Sequence, residues 1–271
     1  MKKASILTVV TVVAGLLASG VATADAAQLE EVSGTAHGTV FPGVGVFGAP
    51  LLGRFQYHFT SGDHHIRQVA AMPLPQQSAV EVTFADENGD DNYGYRVSHE
   101  RVDPAGIVPA SFHGTCAGQC NVPLFTRPAG DFVFVLSGFR FGFDNGDHHL
   151  DMIGVSESGS RLTVQYKDNN GDDPFTYDVS YAWVPRSRLG FLATVSSTVH
   201  ATGTATGSAL GGEKVIRGFF LDNTASGDAG DNHIRDLGIE AQATSFEVQY
   251  GDANPGDSAD WRYQIQYATL V

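Results

Sequence analysis

A five-residue sequence that occurs three times constrains the fold of this chain more than any other feature. It reads Gly62-Asp63-His64-His65-Ile66, then Gly146-Asp147-His148-His149-Leu150, then Gly230-Asp231-Asn232-His233-Ile234. The three aspartates are 84 residues apart both times. Repetition at a fixed spacing indicates a structural unit that is copied along the chain, so we expect three related units.

The same features surround each copy in the same order. In the first copy, an aromatic segment (55–59) precedes the repeat, and an alternating segment (80–84), an acidic loop (86–91) and a closing segment (93–97) follow it. Alternation of apolar and polar residues is typical of strands with one buried face, and no segment shows a helical period.

The chain is therefore predicted to be all-β, with three tandem small antiparallel β-sandwich units. The units are expected at 27–103, 112–185 and 195–271, which we call the first, second and third copies. Pseudo-threefold packing of the copies and a linear arrangement are both compatible with the sequence.

The first 26 residues resemble a secretory signal. Lys2 and Lys3 precede an apolar run over 4–21, and Ala24 lies three residues before an expected cleavage after Ala26. The alternative is an N-terminal membrane anchor, and both readings export the chain. No later apolar stretch is long enough for a helix that crosses a bilayer. We expect a soluble protein that is secreted, extracellular or periplasmic.

The charge balance narrows the class of partner. Asp and Glu number 30 against 16 Lys and Arg, which gives a net charge of −14. Phosphate binding depends on Lys and Arg, so this excess argues against nucleic acid or an anionic membrane as partner.

The only two cysteines are Cys116 and Cys120, four residues apart. In an exported protein a disulfide is the expected state of such a pair, and Gly118 permits the turn between them. A metal site is the less favoured alternative, because two thiolates lack the further ligands of a structural zinc site.

The acidic loops present alternating oxygen ligands of the kind that Ca²⁺ prefers. Calcium is therefore the candidate cofactor, although a solvated hairpin turn is the favoured explanation of the same Asn-Gly and Asp residues. The candidate ligands are Asp86, Asn88, Asp90, Asp168, Asn170, Asp172, Asp252, Asn254 and Asp257.

The repeated Gly-Asp-His-His loops are the candidate ligand-binding sites. Their aspartates can accept hydrogen bonds from sugar hydroxyls and their second histidines can donate to them; Asp with imidazole is also a plausible metal pair. The alternative is a turn in which Asp caps the backbone and His begins a strand. The candidates are Asp63, His65, Asp147, His149, Asp231 and His233.

Two further observations bear on function. The aligned aromatics Tyr93, Phe175 and Trp261 could stack on sugars, but their alternation favours a place in the core. The sequence contains no Gly-x-Ser-x-Gly, Ser-x-x-Lys or His-Glu-x-x-His motif, although its many carboxylates leave an acid/base pair open. Polar features that occur in threes favour binding, because linked weak sites gain avidity, whereas an active site usually needs one asymmetric set of groups.

Several of these segments resemble the H-type lectin domain. The resemblance rests on Phe55-Gln56-Tyr57, on the strand 66–71, and on 164–168 leading to 179–184. It implies a six-stranded antiparallel sandwich that assembles as trimers and binds sugars, commonly N-acetylgalactosamine. The repeats together with this resemblance predict a secreted, multivalent carbohydrate-binding protein, with calcium as the candidate cofactor, whose partners are glycans or cell-surface polysaccharide. The alternatives are a structural or adhesive β-repeat protein without sugar affinity, or a secreted hydrolase.

Overall fold

The computed structural model describes residues 27–45, 48–60, 64–87, 92–124, 127–144, 148–168, 173–200, 203–223, 233–252 and 260–271. In these residues the chain forms 17 strands in three antiparallel sheets, which confirms the prediction of an all-β fold. Two short 3₁₀ turns, Pro75–Gln77 and Arg186–Arg188, complete the regular structure of the described chain.

The strands follow one another closely along the chain. The first copy contains β1 (Gln28–His37), β2 (Ala49–Phe59), β3 (Ile66–Leu74), β4 (Ala79–Asp86) and β5 (Asn92–Val102). Next come β6 (Val108–Ala117), β7 (Gln119–Pro123), β8 (Phe132–Phe143), β9 (Leu150–Ser158), β10 (Arg161–Asp168) and β11 (Pro174–Pro185). The last are β12 (Leu189–His200), β13 (Gly203–Ser208), β14 (Lys214–Asp222), β15 (Ile234–Ala241), β16 (Ser245–Asp252) and β17 (Asp260–Leu270).

Each sheet combines strands from two copies of the sequence. The orders are β1-β5-β2-β15-β16-β13, β12-β17-β14-β9-β10-β7 and β4-β3-β8-β11-β6. One strand of each copy thus pairs with a strand of another copy: β2 with β15, β8 with β3, and β14 with β9. Backbone hydrogen bonds therefore link all three copies in a cycle. The extent of each unit and its pseudo-threefold packing stay predictions.

The three central strands β2, β8 and β14 meet in the core. Each contributes a buried phenylalanine, and the rings of Phe55, Phe139 and Phe219 lie 4.9, 4.8 and 5.0 Å apart, centre to centre. Such aromatic contacts add roughly 0.5–1.5 kcal/mol per pair beyond the burial of apolar area. The apolar faces of the three sheets therefore share one interior.

Burial follows the alternation in the sequence. Along β10, for example, every second side chain is buried and the residues between them are exposed or half-buried. Tyr93, Phe175 and Trp261 are completely buried, which confirms their expected place in the core and removes them from any surface for sugar stacking.

Glycines lie where strands of different copies approach closely, and Gly154 and Gly238 are two of them. A Cβ on Gly154 would lie 2.8 Å from the Phe219 carbonyl oxygen, and one on Gly238 would lie 2.7 Å from that of Phe55. These distances are too short for a side chain, so the seams β9–β14 and β15–β2 need glycine there.

The predicted disulfide is also confirmed. Cys116 and Cys120 are bonded across a turn in which Gly118 has a φ of +61°, the left-handed conformation that favours glycine. The described residues form no helix that is long and apolar enough to cross a membrane.

Candidate metal centre

The second histidines of the three repeats lie against one another. His65, His149 and His233 occupy the positions directly before β3, β9 and β15. Their ring centres are separated by 4.5 Å (His65 to His149), 5.2 Å (His65 to His233) and 5.1 Å (His149 to His233). Residues spaced 84 apart in sequence thus form one cluster, which we call the histidine triad.

The strands explain why the triad forms. The residue after each histidine, Ile66, Leu150 or Ile234, is fully buried in the core. These residues begin β3, β9 and β15, the strands that pair with the three central strands. Because the central strands meet in the core, the starts of their partners converge as well. The cycle of strand exchange therefore brings one histidine from each copy to the same place.

The triad is largely sheltered from solvent. His149 and His233 are 6% and 8% exposed, and His65 is half-buried. Each imidazole offers a nitrogen, and the three nitrogens lie within 4.8 Å of one another. Tetrahedral Zn²⁺ with Zn–N bonds of about 2.1 Å requires nitrogens about 3.4 Å apart, so modest side-chain rotations would suffice to close the set.

The first histidine of the pair has a different role. The Nδ1 atom of His64 is hydrogen-bonded to a carboxylate oxygen of Asp86 at 2.9 Å, and that of His148 to Asp168 at 2.8 Å. Both rings are buried and stack on phenylalanines, Phe59 at 3.7 Å and Phe143 at 3.9 Å between ring centres. These contacts hold in place the residue directly before the triad histidine in the first and second copies.

The hydrogen bond between the first histidine and the aspartate was not predicted from the sequence, although the sequence contains a signal for it. The third copy keeps the second histidine, His233, but carries Asn232 in place of the first. A position that accepts asparagine suits a hydrogen-bonding role within the protein, whereas the position that stays histidine in all three copies is the one found in the triad.

The backbone next to the triad is held at two points. Asp168 accepts a hydrogen bond from the backbone N–H of His149 at 3.3 Å, in addition to its bond with His148. In the first copy, the backbone N–H of Glu87 donates to the carbonyl oxygen of His65 at 3.1 Å. In the first and second copies, the start of the acidic loop thus supports a triad residue.

The predicted calcium ligands are only partly described. The carboxylates of Asp86 and Asp168 are buried and hydrogen-bonded to histidines, and His148, Asp168 and Asp173 form a second cluster of metal-ligating types. For Asp252 the structure describes only the backbone, in β16. Calcium binding stays a prediction, because the other candidates lie outside the described residues: Asn88, Asp90, Asn170, Asp172, Asn254 and Asp257.

The residues predicted to bind sugar are also only partly described. The structure brings His65, His149 and His233 together, whereas Asp63, Asp147 and Asp231 lie outside the described residues. The pairing of each aspartate with its histidine in a sugar site therefore stays a prediction.

In comparisons with known proteins, no family model matches this chain and no curated protein matches it. The resemblance to H-type lectins thus stays a prediction.

Proposed function

We propose that this protein binds one divalent transition-metal ion, with Zn²⁺ the favoured ion, through His65, His149 and His233. The observation that carries the proposal is the mutual contact of three imidazoles, one from each copy of the repeat. Histidine is the most common metal ligand in proteins, and imidazole suits zinc and its neighbours better than calcium, which prefers oxygen.

The ligand set indicates what such a centre can do. Three neutral imidazoles leave the full charge of the ion uncompensated and leave a fourth tetrahedral position for water or an external ligand. The half-buried His65 marks the more accessible side of the triad. The net charge of −14 favours the approach of a cation.

Metal binding would also stabilise the fold. The triad residues precede β3, β9 and β15, which belong to three different sheets. An ion bound to all three would tie the sheets together at this end, and any ligand that prefers the folded state raises its stability.

Metal analysis of the purified chain tests the proposal. After removal of metal with a chelator and addition of zinc, we expect one zinc per chain, measured by atomic emission after desalting. The His149→Ala variant should retain much less zinc. His113→Ala, which removes an exposed histidine of β6, is the matched control and should retain the full amount. A wild-type chain without bound zinc would refute the proposal, as would full retention by His149→Ala.

Glycan binding remains a separate prediction. We expected three separate sugar sites, but the three histidines assigned to them touch one another, which favours one composite site over three independent ones. A glycan array probed with chelated protein and then with zinc or calcium added would test both the affinity and its metal dependence.

A further inference from the structure

One buried carboxylate departs from the pattern shared by the three copies. Glu100 on β5 pairs with Leu51 of the central strand β2. The corresponding residues on β11 and β17 are alanines: Ala182 pairs with Val135, and Ala268 pairs with Val215. All three positions are buried, with exposures of 7%, 1% and 0%. The first copy thus places a glutamate where the fold otherwise uses a small apolar residue.

The carboxylate of Glu100 is not compensated within the described chain. Among the residues that the structure describes, its buried Oε2 atom has no hydrogen-bond partner. Burial, followed by repulsion from Glu213, raises the pKa of Glu100 to about 7. An unpaired buried carboxylate destabilises a protein, so a glutamate here calls for a compensating interaction.

Glu100 lines a cavity of about 290 Å³, which we call the Glu100 cavity. Its walls come from β1, β2, β5, the start of β14 with the residues before it, and the end of β15 with the turn that follows. They include Arg54, Ser98, Glu213, Lys214 and Gln242. The volume is close to the lower end of the range for small-molecule sites.

The basic side chains that line this cavity, Lys214 and Arg54, already bind other groups of the protein. Lys214 donates from Nζ to the carbonyl oxygens of Gly212, Gln242 and Ala243 at 3.0, 2.6 and 2.7 Å. The terminal nitrogens of Arg54 pair with Glu31 and Glu240.

The cavity therefore offers an anionic acceptor, the Glu100 carboxylate, whose Oε2 atom has no hydrogen-bond partner among the described residues. A complementary ligand carries a positively charged donor group.

We propose that the Glu100 cavity binds a small organic ammonium compound. The ammonium group pairs with the Glu100 carboxylate. Glu213 adds negative charge beside the ammonium group. This site does not involve the histidine triad, so ligand binding here does not depend on metal binding there.

Titration with ethanolamine, followed by NMR at pH 8, tests the proposal. We expect saturable shifts of the β5 and β14 amides. Ethylene glycol, in which a hydroxyl replaces the ammonium group, should give none. Glu100→Gln should weaken ethanolamine binding at least tenfold. Glu87→Gln, which removes an exposed glutamate, should leave it unchanged.

A second variant separates loss of binding from loss of folding. Glu100→Ala introduces the residue that the other two copies already bear, so it should fold and still fail to bind ethanolamine. The proposal is overturned by the absence of saturable shifts, by equal shifts with ethylene glycol, or by undiminished binding in Glu100→Gln.

Discussion

A carboxylate oxygen of Asp168 lies 2.8 Å from Nδ1 of His148, and the other oxygen accepts a 3.3 Å hydrogen bond from the backbone N–H of His149. One buried side chain thus contacts both His148 and the adjacent triad residue His149. A group that orients a metal ligand in this way influences affinity without touching the ion.

Replacement of Asp168 should therefore weaken metal binding. We expect Asp168→Asn to lower the zinc affinity about 10- to 100-fold, the usual effect of losing a residue that orients a ligand. Competition with a chromogenic chelator measures it. Asp131→Asn, which changes an exposed aspartate, serves as the control for net charge. Equal affinities in the two variants would show that Asp168 does not position the triad.

Zinc should raise the resistance of the protein to unfolding. At a free zinc concentration 100 times the dissociation constant, the free energy of unfolding should increase by about 2.7 kcal/mol. Thermal unfolding with and without zinc measures this, and His233→Ala should abolish most of the increase. The effect should shrink in acid, because imidazole must be neutral to bind a metal. A zinc effect of the same size in His233→Ala would point to binding elsewhere.

Glu100 should make stability depend on pH. Its pKa is about 7 in the folded protein against an ordinary value of 4.5, so the folded state holds the proton more tightly. The free energy of unfolding should therefore fall as pH rises from 4.5 to 7 and level off above that, with a change of up to about 3 kcal/mol from this residue.

Urea unfolding at pH 5 and pH 8 would isolate this contribution. The stability of Glu100→Ala relative to wild type should be greater at pH 8 than at pH 5, because only the wild type carries the buried charge. A difference between the two proteins that is the same at both pH values would contradict the assignment.

The close seam between exchanged strands should tolerate no side chain. Gly238→Ala would place a methyl group 2.7 Å from the Phe55 carbonyl oxygen and 2.8 Å from Cα of Gln56. We expect a loss of about 1–3 kcal/mol, typical of overpacking. Gly94→Ala is the control, because its nearest contact would be 3.8 Å. Calorimetry should show a lower Tm only for Gly238→Ala.

The sequence predicted those features of the site that depend on local pattern. The repeat marked His65, His149 and His233 as a set, but the alternatives were three sugar sites, a metal pair or a simple turn. The sequence did not predict which histidine bonds to the aspartate and which joins the triad, because the two histidines are neighbours in the same short motif. Nor did the sequence single out Glu100, whose departure from Ala182 and Ala268 appears only when strand register aligns the copies.

Local chemistry by itself determined the all-β class, the disulfide between Cys116 and Cys120, and the burial of Tyr93, Phe175 and Trp261. Each depends on residues close in sequence: alternation at a period of two, or two thiols four residues apart. Only the tertiary structure decided that strands are exchanged between copies, because pairing partners far apart in sequence are selected by the fit of whole sheets around a shared core. That exchange is what turns three separate histidines into one triad.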